Sequence, residues 1–577
     1  MHDGAQTMIR GAVLRGLEAL LVDVEVGVRP GSGFHIVGLG RPAVKESRER
    51  LRHAIEGSGL QWPRAAITVN LAPADVPKEG TTLDLAIATA ILTATGEISA
   101  NEADSLYLFG ELGLEGNLRR SRGALAIARQ MPEGSTLVAP SSNRLELALL
   151  RQIKDARKEF EPYVVTDLAE AVTVVEGRNR PRARAKRSEF KAAFRSGVDF
   201  RNVKGQRRAK RALEVAAAGG HNVLLIGPPG EGKSLLAKAL PTILPRLSPD
   251  EIIELTEIYS SKGELPDENS VVTQRPYRPV HHTASPTSVV GGGSGFPLPG
   301  EITLAHKGIL FLDELPEFGR QLLEVLRQPL EDGTIHLSRK GGAATYPCQL
   351  ILVAAMNPCP CGFEGEFMCP RCQRRLPYGE ASCKECGNAE LSRLCKCTPT
   401  EIRSYKKRVS GPIMDRIDLI IRVGALRPEE RFMPGEGESS REIRTRVEAA
   451  RDIQKRRYGG SAISLNARIP GGMVDRYVVT ELDPSARVAL QKVAEHIPEL
   501  TSRGHDKLLK VSRTVADLHS SARVYKKHIV EAADLTGHDK VKEFLGAQPD
   551  VGVCPSCGAE LPEQARFCSS CGTRVEE

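Results

Sequence analysis

The sequence predicts an α/β multidomain protein with a nucleotide-binding core, a helical region after it, a separate α/β domain before it and cysteine-rich modules. Three observations predict this. The segment Gly227-Pro228-Pro229-Gly230-Glu231-Gly232-Lys233-Ser234 stands between an apolar run at 223–226 and a helical pattern at 235–240. Apolar runs at 309–312 and 350–355 end in the polar tips Asp313-Glu314 and Asn357. All cysteines but Cys348 fall in short-spaced pairs.

A strand, a glycine-rich loop and a helix in that order make a phosphate cradle. Glycines let backbone N–H groups turn toward phosphate oxygens, and the helix N-terminus adds partial positive charge. In this pattern residues 227–234 bind ATP, Lys233 reaches the β- and γ-phosphates, and Ser234 ligates Mg²⁺. The second run reads as a buried strand that delivers Asp313 to Mg²⁺ and Glu314 to an attacking water as general base. The third places Asn357 where an amide can orient that water or sense the γ-phosphate.

Around this core, 577 residues suffice for about three or four domains. The apolar share of 41% and charged share of 26% are ordinary for a soluble globular protein. No apolar run reaches the ~18 residues of a membrane span, and the N-terminus has no signal-peptide pattern, so a cytoplasmic location without membrane contact is expected. The net charge of +8 permits nucleic-acid binding without demanding it. Aromatics at 4% are too few for base stacking to be the main binding mode.

Residues 1–177 alternate β-branched strands (20–26, 66–71) with helical patterns (44–58, 83–92) and form an α/β domain. The basic run Arg178, Arg180, Arg182, Arg184, Lys186 and Arg187 marks a solvated linker over 178–197. The nucleotide-binding core spans 198–427. Residues 428–545 are helical, with clear patterns at 441–455 and 511–525, and a cysteine-bearing tail covers 551–574.

In that tail, Cys554, Cys557, Cys568 and Cys571 form two CxxC knuckles with the spacing of a zinc ribbon. Cys369, Cys372, Cys383 and Cys386 repeat the design inside the core, flanked by Cys359, Cys361, Cys395 and Cys397. The simplest pairing puts one Zn²⁺ on the outer four and one on the inner four, although the sequence leaves mixed pairings open. Up to three structural zinc sites result, because four thiolates leave no open position for catalysis. Cys348, just before an apolar run, reads as a buried core thiol.

The three nucleotide motifs together resemble Walker A, Walker B and sensor 1 of the AAA+ ATPases. The segments 275–282, 291–294, 299–302, 305–308 and 410–419 narrow the resemblance to the magnesium-chelatase-like branch and, within it, to the ComM/YifB family, over 11–545. The outer CxC pairs match that family, and the inner ribbon at the centre of the 359–397 insertion is additional to it. The resemblance implies an AAA+ core with a helical lid. It places Arg416 as an arginine finger reaching a neighbour's ATP and Arg513 as sensor 2. An arginine supplied in trans requires a homo-oligomeric ring, in such proteins usually a hexamer. Loops between the Walker motifs would face the pore; Arg275, Arg278, His281 and His282 there, with Arg339 and Lys340 beyond the second motif, are candidate DNA phosphate contacts. Arg371, Arg374 and Arg375 beside the inner cysteines weakly favour DNA as well.

The segment 77–84 resembles the active-site loop of Lon proteases, with Thr82 in place of the serine and no lysine at the partner position. A threonine without a base is not an activated nucleophile. The N-terminal domain is therefore expected to be Lon-like, with a ribosomal-S5-domain-2-like fold and no protease activity. The family resemblance implies a DNA helicase of the ComM type, which promotes branch migration in natural transformation. A chelatase-like ATPase that remodels a protein partner is the alternative, and a Lon-like protease or binding module is a third reading.

Overall fold

The computed structural model describes residues 6–38, 47–74, 81–100, 105–152, 162–190, 198–265, 271–293, 295–372, 375–376, 382–383, 386–387, 389, 391–409, 411–424, 426, 437–461, 463–497, 500–538, 541, 545, 552–553 and 560–561. Contacts divide the chain into two units. The first joins residues 1–197 with 246–311 and 318–350. The second joins 198–245, 312–317 and 351–577. Among the described residues no helix is long and apolar enough to cross a membrane.

The first unit is built on a seven-stranded sheet in the order Gly33–Val37, Ala66–Ala72, Glu18–Arg29, Gln6–Arg15, Leu106–Leu108, Thr136–Pro140, Tyr163–Val165. Period-2 alternation decides which side chains face the core. Val22, Val24 and Val26 are buried, as are Ile67, Val69 and Leu71 on the neighbouring strand. The long strands meet at a two-residue turn in which Arg15 faces Glu18 and Gly16 takes a φ of +69°. The helices Ser47–Gly57 and Asp84–Ala94 form where the apolar spacing predicts them. The second is buried almost throughout its length, because its sequence is apolar on all sides.

Two features of this unit depart from the sequence reading. The basic run at 178–187 is more than a solvated linker. Its backbone continues the sheet edge, with Val164 N–H donating to Pro181 and Ala183 N–H donating to Pro162. Short alternation with proline (Pro181 between Arg180 and Arg182) suits an edge, where one face of the backbone needs no partner. The helix Pro249–Lys262, from the stretch between the Walker motifs, packs with the N-terminal residues. Ile253 shares a core with Leu125, Leu145 and Leu147, and Glu257 holds Arg129 at 2.8 Å. Cys348 is buried as expected and donates to the Pro329 carbonyl.

In the second unit the strand Val223–Ile226 lies parallel between Ile351–Met356 and Leu419–Arg422, with Val223 facing Val353 on one side and Leu419 on the other. The longer described helices of the helical region are Ser440–Tyr458, Pro484–His496, Ser502–Leu518 and Lys526–Leu535. A capping box, Ser439 with Glu442, starts the first of these helices. Arg446 bonds Glu214 at 2.6 Å and Arg457 bonds Asp517 at 2.8 Å, tying the helices to one another and to Arg207–Gly219. The pattern at 511–525 does not form one helix. It stops at Leu518, Ser520 turns back at a φ of +53°, and a new helix begins at Lys526. Apolar spacing survives such a turn, so periodicity alone runs through it.

Among the described residues of the first unit, Arg50 and Asp84 form a largely buried ion pair. Arg50 grips Asp84 through two bonds, of 2.6 and 3.0 Å, and Asp84 is 2% exposed. Burial raises the Asp84 carboxyl above its ordinary value despite the opposing Arg50. A raised carboxyl binds its proton more readily folded than unfolded, so this group's contribution falls as pH rises through the raised value. Arg50→Ala should cost about 3–5 kcal/mol at neutral pH by leaving a buried charge unpaired. Urea denaturation should show that part of the loss is recovered on acidification, as Asp84 becomes protonated.

Candidate functional site

The strand Val223–Ile226 ends where Gly227 opens the loop. A Cβ at Gly227 would lie 2.0 Å from the Val423 carbonyl oxygen, so no side chain fits. Gly230 and Gly232 have φ of +81° and +87°, which glycine adopts without strain. The loop then enters the helix Lys233–Ala239.

A cavity of about 370 Å³ opens here, lined by Gly230, Lys233, Ser234, Asp313, Glu314 and Asn357 among others. Lys233 is 8% exposed. Its ammonium donates to the carbonyls of Gly227 and Pro228 at 2.6 and 2.8 Å and to Asn357 Oδ1 at 3.1 Å. Burial lowers the Lys233 ammonium below its ordinary value, against the pull of Asp313, Glu231 and Glu314. The Ser234 hydroxyl donates to Asp313 Oδ2 at 2.8 Å. A hydroxyl and a carboxylate side by side are the hard oxygen donors that Mg²⁺ takes alongside phosphate, so the residues present fit that ion. Glu314 is held at a φ of +54°, a left-handed conformation uncommon for a non-glycine residue. Its N–H donates to Asp313 Oδ1 at 3.0 Å.

The two arginines from the family resemblance lie outside the cavity lining. Arg416 is half-buried, and its carbonyl accepts from Asn222 Nδ2 at 2.7 Å. Arg513 is fully buried in the helix Ser502–Leu518, bonded to Asp517, Ala522 and Ser521. Burial lowers its guanidinium from the ordinary value. These bonds fasten the turn after Leu518. Arg503, on the first turn of the same helix, is 55% exposed and pairs with Asp415 at 3.6 Å, next in sequence to Arg416. Tyr405 is a further neighbour that sequence reasoning missed. Burial pushes its phenol up to about 12, against a backbone hydrogen bond with Asn357.

Cys359, Cys361, Cys395 and Cys397 come together in one cluster and Cys369, Cys372, Cys383 and Cys386 in another, with ligand atoms within 4.8 Å of one another. This is the outer-four and inner-four arrangement. Sulfur separations include 3.3 Å for Cys359–Cys361, 3.7 Å for Cys359–Cys395 and 3.3 Å for Cys372–Cys383. Tetrahedral zinc with Zn–S of about 2.3 Å places its sulfurs about 3.8 Å apart, so both donor sets fit a zinc ion. The tail cysteines Cys554, Cys557, Cys568 and Cys571, and Arg374, lie outside the described residues.

Of the candidate DNA contacts, Arg275 and Arg278 turn inward. Arg275 bonds Glu251 at 3.0 Å and the Lys307 carbonyl at 2.8 Å, and Arg278 bonds Glu301 at 2.6 Å and Glu264 at 3.3 Å. Arg339 and Lys340 are exposed at the tip of the hairpin Thr334–Arg339/Gly342–Pro347, and His281 is exposed. Arg375 is also internally paired, with Glu366 and Glu231.

The strand, glycine loop and buried lysine define a phosphate-loop fold. Comparison with known families narrows that class. Residues 199–379 and 378–431 match the model for magnesium chelatase, subunit ChlI. Residues 22–143 match that for subunit ChlI of Mg-chelatase, and 437–536 that for its C-terminal region. Residues 553–575 match a zinc-ribbon domain. The chain is 38% identical to the YifB protein of Salmonella typhimurium, over 91% of this chain and 96% of that one. It is 36% identical to the competence protein ComM of Haemophilus influenzae, over 90% and 94%. The magnesium-chelatase 38 kDa subunit of Cereibacter sphaeroides is 26% identical, over 28% of this chain and 52% of that one. The protein belongs to the magnesium-chelatase-like ComM/YifB family.

Gly227→Ala should force the added methyl against the Val423 carbonyl. Overpacking of this kind costs about 1–3 kcal/mol. Chemical denaturation should show the loss, while Gly319→Ala, whose added methyl meets nothing within 4 Å, should lose far less.

Proposed function

We propose that the chain is an ATP-hydrolysing AAA+ ring motor that acts on DNA. The convergence of Lys233, Ser234, Asp313, Glu314 and Asn357 on one cavity carries the ATPase reading. Lys233 exchanges its two loop carbonyls for β- and γ-phosphate oxygens. Ser234 and Asp313 are the residues that would hold Mg²⁺, which supplies charge neutralisation at the phosphates. Glu314 takes a proton from the attacking water, and Asn357 orients that water while bonded to Lys233. Arg416 completes a neighbouring subunit's site, in keeping with its place outside its own cavity, and the ring is a hexamer. Arg513, on the lid helix Ser502–Leu518, takes the sensor 2 role that the family resemblance implies, and the exposed Arg503 on the same helix is a second candidate.

DNA as the track is supported by similarity to a competence protein and by the exposed Arg339 and Lys340. The N-terminal unit is read as a Lon-like domain without protease activity. The cysteine clusters and the tail hold structural zinc, up to three ions. The chelatase-like alternative rests on magnesium-chelatase family models that match most of the chain, but the chelatase subunits themselves align over 28% of it and the competence protein over 90%, which favours the motor.

ATPase activity should rise with single-stranded or branched DNA and vanish in Lys233→Ala. Lack of both DNA stimulation and DNA binding would sink the motor reading. Stimulated hydrolysis that survives Lys233→Ala would sink the site assignment. Glu314→Gln should bind ATP and fail to hydrolyse it, and Arg416→Ala should behave likewise. Mixed together, these two variants should regain hydrolysis, because sites pairing an intact Glu314 with a neighbour's intact Arg416 then form. If the mixture stays inactive, Arg416 does not act in trans.

A further inference from the structure

Glu231 is an acid inside the loop that faces the phosphates. Its side chain is 6% exposed. An uncompensated carboxylate there would be costly to bury and would repel a polyphosphate. Besides the Lys233 ammonium, whose charge also acts on Glu231, a hydrogen-bonded cation comes from the cysteine-rich insertion. Arg375 donates through Nη1 to Glu231 Oε1 at 2.9 Å and through Nε to Glu366 Oε2 at 3.0 Å, with its guanidinium 5.4 Å from the Phe363 ring centre. Glu366 is itself 2% exposed, so both carboxylates that grip Arg375 are buried.

The inner cysteines shape the segment that presents Arg375. Arg375–Leu376 pairs with Phe367–Met368, which also pairs with Ser392–Arg393. Two-residue strands have little stability of their own. The core behind them consists of Cys369, Leu376 and Cys383, with Cys372, Cys386 and Leu391 against it, so thiols make up most of it. Such a core holds its shape when a metal ion bridges the sulfurs and loses it when the ion leaves. A second contact joins the insertion to the same loop, since a Cβ at Gly362 would lie 2.6 Å from Pro229 Cδ.

We propose that Arg375 is a positioning residue for the phosphate loop, set in place by zinc in the inner four-cysteine site, so that nucleotide affinity depends on a metal bound outside the nucleotide cavity. The arginine neutralises Glu231 and fixes the loop's conformation. Release of the ion frees the Arg375 strand and takes that hydrogen-bonded cation away from Glu231 beside the phosphates. The inference rests on the reading of the cavity as a nucleotide site.

The test measures binding of a fluorescent ATP analogue to the full-length chain, with zinc content determined by a chromogenic chelator. Arg375→Ala and Cys372→Ser are each made alone and together with Glu231→Gln. Each single variant should weaken nucleotide binding about tenfold or more. Cys372→Ser should also lose about one zinc per chain. With Glu231→Gln present, neither substitution should weaken binding beyond about threefold relative to Glu231→Gln alone. A folding defect in the insertion would not be rescued by removing a charge in the phosphate loop, so loss without rescue overturns the inference. Equal binding with and without Arg375 overturns it and leaves the nucleotide site standing. A wild-type chain that binds no nucleotide overturns both.

Discussion

The second unit depends on one amide. Asn222 precedes the strand Val223–Ile226, and its side chain accepts from Leu352 N–H at 2.8 Å and donates to the Arg416 carbonyl at 2.7 Å. Its backbone N–H donates to Asp418 Oδ2 at 3.1 Å, and its carbonyl accepts from the N–H groups of Asp418 and Leu419 at 3.0 and 2.9 Å. One residue thus sets the register of three parallel strands at the end opposite the loop. A register slip of one residue would send every side chain to the other face. Gly227 and Asn357 follow directly from two of these strands, and Arg416 lies just ahead of the third. Their mutual placement is therefore a consequence of Asn222. Burial alone would raise Asp418, but His221, Lys507 and the Asn222 N–H outweigh it and hold the carboxyl below its ordinary value. The bracket therefore stays charged, with Lys507 also donating to the Met414 and Ile417 carbonyls on either side of Arg416.

From that base the loop stores an arrangement that phosphate can replace. Lys233 has no carboxylate as its hydrogen-bond partner, although Asp313, Glu231 and Glu314 all act on its charge. Its donors rest on two carbonyls and an amide, which are weaker acceptors than a charged oxygen. Exchange of those carbonyls for phosphate oxygens therefore strengthens the lysine's bonding. Ser234 and Asp313 satisfy each other in the same way. The left-handed backbone of Glu314 belongs with these features, because strain of this kind persists only where the surroundings over-determine it.

Much of this was legible in the sequence. Chemistry that depends on spacing along one segment reads directly, as with residues 227–234, the strand ends at Asp313 and Asn357, and the period-2 core of the first unit. Chemistry that depends on pairing does not. Arg275 and Arg278 read as open loop cations, yet Glu251 and Glu301 fold against them, and the bonds of Arg513 to the turn after Leu518 are not visible in the sequence. Arg275 and Arg278 found partners more than twenty residues away through the tertiary fold, and Arg513 found its own across the local turn. The helical break at Ser520 escaped for a related reason, since the apolar spacing continues across it. The division into two units was also hidden, because the segment after residue 246 packs with residues more than a hundred positions earlier in the chain.

The cysteine-rich insertion shows how an addition to a family pattern can become part of a site. It starts two residues after Asn357, so its backbone cannot lie far from the cavity. Any segment there either packs on the phosphate loop or leaves that loop's outer side in water. Glu231 makes the difference matter. An acid at this position gains nothing from the phosphates, and its burial is tolerable only with a cation beside it. Neither Arg375 nor Glu231 makes physical sense in the fold alone. Paired across the insertion, they tie the shape of the cysteine ribbon to that of the glycine-rich loop, which is the link that the proposed dependence of nucleotide binding on zinc requires.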